Sequence, residues 1–160
     1  MTDDAFATHD AYESSEGEYA LTTTPFDGRV AVDGDEYRVT VTMPTLDAAA
    51  EEPVEDVLEN GWFETLSLRL EDAEGATRGD IDVPDPTVKQ VGEEVRVEWV
   101  LVRADGTRAA EAAKALIEYA EGTYVEGIVP GYSYHSPVAD LIASARTEGD
   151  GEGERGPMPL

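Results

Sequence analysis

The sequence predicts an α+β fold, an antiparallel sheet of five to six strands with helices packed on one face, in the order α-βββ-α-ββ(β)-α-α. Three observations carry this. Short runs with every second residue apolar are separated by Asp-Gly dipeptides, the signature of antiparallel hairpins. A stripe at steps of four, Val54, Leu58, Trp62, Leu66 and Leu70, marks an amphipathic helix. An alanine-rich stripe, Ala109, Ala112, Ala113, Leu116, Ala120 and Tyr124, marks another.

Taken in order, Met1 to Tyr12 holds a short helix with Phe6 on one side. Ser14 to Gly17 reads as a turn, and Glu18 to Phe26 as a strand in which Tyr19, Leu21 and Thr23 alternate. Asp27-Gly28 and Asp33-Gly34 read as hairpin turns around a strand from Arg29 to Asp33. Glu36 to Met43 then places Tyr37, Val39, Val41 and Met43 on one face, which completes a three-stranded meander.

Pro53 suits the first turn of a helix running to about Asp72, with Val57 filling its apolar face and a weak point at Asn60-Gly61. Asp80 to Val83 is expected as a short strand. Val88 to Val91 and Glu94 to Val102 form a hairpin around Gly92, and the half-polar far face of the second run suits a central strand covered on both sides. Thr107 is placed to cap the alanine-rich helix, which Gly127, Pro130 and Gly131 end by about Val129. Ser136-Pro137 opens a last short helix, Val138 to Arg146. Residues 1–146 therefore form one globular domain, and the glycine-rich charged stretch 147–160 is expected to be a disordered tail.

Charge dominates the composition. Thirty-six acidic residues face 11 basic ones, a formal charge of −25, and only Lys89 and Lys114 are lysines. Such a chain repels itself at low salt and is screened at molar salt, so the pattern reads as adaptation to a salt-rich cytoplasm. With no basic cluster to displace counterions, nucleic acid and membrane surfaces are not expected partners. The first residues lack a basic segment and an apolar core, so no signal peptide is expected. Without cysteine there is no disulfide, thiol nucleophile or thiolate metal site.

The sequence carries no catalytic signature and points away from an enzyme. Glycine-rich phosphate loops and the GxSxG nucleophile turn are absent. Asp33, Asp35 and Glu36 lack the spacing of a calcium loop and read as a hairpin turn. Asp80, Asp82 and Asp85 read as solvated residues rather than a magnesium edge. His9 and His135 lie near opposite ends of the chain, with no spacing that joins them in a metal or acid–base site. No cofactor is expected. The aromatic residues Trp62, Phe63, Tyr124, Tyr132 and Tyr134 are the candidate interaction surface. Trp62 and Phe63 cannot both face one way on a helix, and the tyrosines sit in a glycine-punctuated segment.

Tyr19–Asp27 (YALTTTPFD), Pro44–Ala48 (PTLDA), Glu59–Leu66 (ENGWFETL), Arg69–Arg78 (RLEDAEGATR) and Tyr119–Tyr132 (YAEGTYVEGIVPGY) together resemble a family of small, acidic, uncharacterised haloarchaeal proteins. The resemblance runs from about Tyr19 to Leu141. It implies a salt-rich cytoplasmic setting and transfers no catalytic or binding residue. The element order is also similar to that of type III secretion chaperones, small acidic α+β proteins that hold a partner polypeptide and are often dimeric; the strand expected at Asp80–Val83 departs from that layout. The functional expectation is a non-enzymatic protein-interaction or chaperone-like adaptor, with a protein partner or as a homodimer. The alternative is a small-ligand-binding domain or unrecognised enzyme, which would show a cavity lined by Tyr124, Tyr132 or Trp62 with convergent polar groups.

Overall fold

In the computed structural model, the described residues are 6, 9–15, 17–72, 83–102 and 106–145. Six strands form one antiparallel sheet: β1 (Tyr12–Ser15), β2 (Glu18–Leu21), β3 (Asp27–Asp33), β4 (Glu36–Pro44), β5 (Thr87–Val91) and β6 (Glu94–Val102). Their spatial order is β1-β2-β3-β4-β6-β5, a meander extended by a hairpin whose second strand pairs with β4 along nine residues. The helices are α1 (Leu46–Ala49), α2 (Asp56–Leu70) and α3 (Gly106–Glu126), and residues 138–145 are also helical. This is the α+β arrangement that the alternating runs predict.

Strand alternation decides where the core lies. Tyr37, Val39, Val41 and Met43 of β4 and Val95, Val97, Trp99 and Leu101 of β6 all point to one face and are buried. The whole predicted stripe of α3 is buried too. Its many alanines keep the helix thin on that side, so it approaches the sheet closely. At Gly28 the approach is tight: a Cβ there would lie 2.8 Å from Cγ2 of Ile117. Phe6 closes one end of the layer, with its ring 5.0 Å from Tyr12, 5.4 Å from Tyr19 and 5.8 Å from Tyr37.

Several local expectations are corrected. Ser14 and Ser15 belong to β1, so the meander has four strands. Asp27-Gly28 is not a turn but the start of β3; β2 ends at Leu21 and the chain reverses through 22–26. The glycine answers to Ile117 across the layer, not to a hairpin. Asp33 and Glu36 do face each other across a two-residue turn, with Gly34 at φ 65°.

α2 begins at Asp56, three residues after Pro53, because the Val54 N–H is held by Asp47 Oδ1 at 2.9 Å in an extended lead-in. Val57 is 82% exposed rather than in the core. Thr107 lies inside the first turn of α3, which starts at Gly106. β6 lies between β4 and β5, yet no helix among the described residues covers its outer face, where Arg96 is exposed and Glu98 and Val100 are half-buried. Most of the strand expected at Asp80–Val83, most of the N-terminal helix and the tail 147–160 fall outside the described residues.

Candidate functional site

The five aromatic residues fall into two groups with different surroundings. Tyr124 is fully buried; its ring meets Trp62 edge-on at 5.6 Å and Phe26 at 5.1 Å, and its hydroxyl donates to the Pro44 carbonyl at 3.0 Å. Burial raises the phenol's pKa well above its ordinary value, so it remains a neutral donor. Trp62 rests on this ring with 6% of its surface exposed, and Phe63, one helical step round, is half-buried against the core edge.

Tyr132 and Tyr134 pair with each other at 6.4 Å. Backbone bonds zip their segment to the exit of α1, Glu51 N–H to the Ser133 carbonyl at 2.7 Å and His135 N–H to the Ala49 carbonyl at 2.8 Å. The Tyr134 hydroxyl donates to the Val129 carbonyl. The structure thus brings the Trp62 and Tyr124 rings together and pairs Tyr132 with Tyr134, whose phenol lies within electrostatic reach of Tyr124.

Above Trp62 lies a groove of about 500 Å³ between α2 and the C-terminal end of α3. Leu58, Trp62, Leu66 and Val129 supply its apolar wall, and Val57 stands at its edge. Polar groups reach it from Thr65, Thr123, Arg69 and Glu55. A second depression of about 380 Å³, lined by Arg69, Asp72, Tyr119, Gly122, Thr123 and Glu126, shares Arg69 and Thr123 with the first. The Tyr119 hydroxyl donates to the Arg69 carbonyl at 2.8 Å, and the Arg69 guanidinium stands 3.7 Å from Glu126. Within the groove Glu55 balances Arg69, and the net acidity comes from Asp72 and Glu126 of the adjoining depression.

Sequence reasoning named Trp62 but missed Val57, Thr65, Thr123, Gly127 and Val129. One signal was present. Gly61 sits mid-helix, exposed, with nothing within 4 Å of where its Cβ would be, although a helical glycine costs about 1 kcal/mol relative to alanine. No packing contact requires it, and it lines the groove.

The carboxylate of Glu59, on the next turn of α2, is buried. Its Oε1 accepts from the Asp47 N–H at 3.0 Å, tying α2 to the first turn of α1, while Oε2 has no partner. Desolvation raises its pKa above the ordinary carboxylate value, against the lowering effect of that hydrogen bond. This geometry joins two helices.

The histidines are held apart. His9 Nδ1 accepts from the Ala11 N–H at 3.1 Å, so Nε2 carries the proton directed at Glu111 Oε2, 2.7 Å away near the start of α3. His135 lies beyond the other end of α3, bonded to α1. Among the described residues no group of three or more His, Asp or Glu side chains is placed to hold a metal ion, and no helix is long and apolar enough to cross a membrane.

Residues 7–144 match the Family of unknown function (DUF5813). The chain belongs to this family. The match spans the whole sheet, all three named helices and both depressions. No curated protein and no solved structure matches the chain.

Proposed function

We propose that this member of the DUF5813 family is a non-enzymatic, chaperone-like adaptor of a haloarchaeal cytoplasm, and that it holds an amphipathic segment of a partner protein in the groove between α2 and α3. The observation that carries this reading is the groove itself: an apolar wall around Trp62, an exposed Val57 at its edge, and an exposed Gly61 that leaves its middle open. An amphipathic helix laid in such a groove buries its apolar face there. The acidic Asp72 and Glu126 of the adjoining depression favour a segment with lysine or arginine flanking that face. The acid-rich, lysine-poor composition supports the salt-rich setting.

The test is a titration of two helical peptides in molar KCl, followed by tryptophan fluorescence. Both carry leucines on one face; one is flanked by lysine, the other by glutamate. The lysine-flanked peptide is expected to bind at least about tenfold more tightly, a difference of about 1.4 kcal/mol. Gly61→Phe, which fills the open space, is expected to abolish binding. Equal binding of both peptides, or binding that survives Gly61→Phe, defeats the reading.

A small-ligand occupant is the second reading, favoured by the polar residues Thr65, Thr123 and Arg69 that line the groove beside Trp62. A non-covalent adduct in the native mass spectrum, lost in Gly61→Phe, would decide for it.

A further inference from the structure

The face of the sheet turned away from the helices has no layer over it among the described residues, and its charge differs from that of the rest of the chain. Four of the Lys and Arg residues described, Arg29, Arg38, Lys89 and Arg96, stand on this face; the other three, Arg69, Arg108 and Lys114, are on helices. Across β3 to β6 the face's five carboxylates, Asp27, Asp33, Glu36, Glu94 and Glu98, nearly balance these four bases, and three of the five are paired locally. Arg29 bonds Asp27 at 2.7 Å, Arg38 lies 3.3 Å from Glu98, and Arg96 lies 3.6 Å from Glu94. Apolar residues lie among them: Val100 is half-buried, and Val91 and Val102 are among the exposed large hydrophobics, at 43% and 38%. For a chain of formal charge −25, this near-balance makes the face one on which a second copy meets little repulsion.

We propose that this open face is a homodimer interface, in which two sheets pack face to face about a two-fold axis running along the strands between β4 and β6. The strand order makes the consequence readable. Such an axis lays β6 of one copy over β4 of the other, and β5 over β3.

The register then sets the partners row by row. Lys89, Arg96, Thr42 and Asp27 share one row across the sheet, so Lys89 of each copy meets Asp27 of the other and Arg96 meets Thr42. In the next row Thr87 meets Arg29, and Glu98 meets Thr40. Further along, Arg38 meets Val100 and Glu36 meets Val102. No row sets like charge against like charge, and the two Lys89–Asp27 pairs are the ionic contacts across the axis.

Sheets packed this way keep their strands within about 30° of one another, about 10 Å apart, which long side chains span. β4 and β6 are nine residues long, β3 seven and β5 five, so at about 3.3 Å per residue and about 4.8 Å per strand each copy contributes about 480 Å². The total of about 950 Å² lies below the size of stable specific interfaces and in the range of weak ones. The dimer is therefore weak, forms at molar salt where the Debye length is about 3 Å, and leaves both α2–α3 grooves facing outward.

Sedimentation equilibrium of the full chain in molar KCl, over a wide concentration range, tests this. A mass approaching twice 17.2 kDa is expected at high concentration. Lys89→Asp and Asp27→Lys, both at exposed positions, are each expected to weaken association at least about tenfold, and the double swap to restore it to within about threefold. At the centre of the face, Thr40→Arg tightens the dimer against Glu98 and Thr40→Glu loosens it, a reversal of sign that misfolding does not produce. A chain that stays at 17.2 kDa throughout, or a dimer indifferent to these four substitutions, overturns the proposal. The peptide titration at the groove is independent of this result.

Discussion

Two glycines show how one residue type serves different ends. Gly28 is buried and has Ile117 where a Cβ would stand, Cγ2 at 2.8 Å and Cδ1 at 3.1 Å. Gly28→Ala forces α3 away from the sheet or the isoleucine off its rotamer, and is expected to cost about 1–3 kcal/mol. Ile117→Ala alone opens a cavity, but in the double variant the two changes partly offset each other. A double-mutant cycle by urea denaturation should therefore show coupling of about 1 kcal/mol or more. Gly61→Ala meets only open space and is expected to stabilise α2 by up to about 1 kcal/mol, at the expense of the groove. Sequence alone reads Gly28 with Asp27 as a turn and Gly61 as a weak point in a helix. Ile117 lies far from Gly28 along the chain, and the groove that Gly61 lines is closed by the distant end of α3, so neither setting was legible locally.

At the scale of the element, periodicity reported faithfully where both faces differ. The stripes of β4, β6 and α3 are buried as predicted; β4 and α3 contrast with a polar opposite side, while the far face of β6 is polar only as far as Glu98. β1 escaped notice because its residues Tyr12–Ser15 carry too little apolar contrast, and pairing with β2 supplies what propensity does not. α1 is only four residues long and depends on its neighbours. Thr45 Oγ1 accepts from the Ala48 N–H at 3.1 Å, and Glu59 of α2 accepts from the Asp47 N–H.

Because Glu59 has a raised pKa in the folded chain, the folded state binds more protons than the unfolded one in the window just above the ordinary carboxylate value. The stability linked to this group is present below that window and lost as pH rises through it. Glu59→Gln keeps an acceptor for Asp47 and removes the titration. Thermal melts between about pH 4 and 7 should show wild type losing stability relative to the variant as pH rises. A constant gap between the two would mean that Glu59 titrates normally.

For the whole molecule, the charge was the most legible property and the groove the least. Trp62 was named from sequence, but the groove arises from the placement of α2 against the end of α3, which no local pattern encodes. The charge carries its own prediction. A formal charge of −25 on 160 residues works against compaction, because folding brings carboxylates closer than the extended chain does. At about 0.1 M salt the Debye length is about 10 Å, comparable to the spacing of neighbouring surface groups; at 1 M it is about 3 Å, and only contact pairs still interact. Most ion pairs here, such as Arg38 with Glu98 and Lys114 with Glu118, are partly exposed contacts of about 0–1 kcal/mol each, too weak to offset the general repulsion. Far-UV circular dichroism melts in dilute buffer and in about 2 M KCl should therefore differ by about 10 °C or more, several kcal/mol at about 2–4 °C per kcal/mol for a chain of this size. Part of any such gain could come from salt strengthening apolar burial rather than screening charge. Lowering the pH to about 4.5, where many carboxylates are protonated, separates the two. The salt dependence should shrink if repulsion is the cause and persist if burial is. A melting temperature unchanged between dilute buffer and molar KCl would remove the salt-adapted reading of this surface.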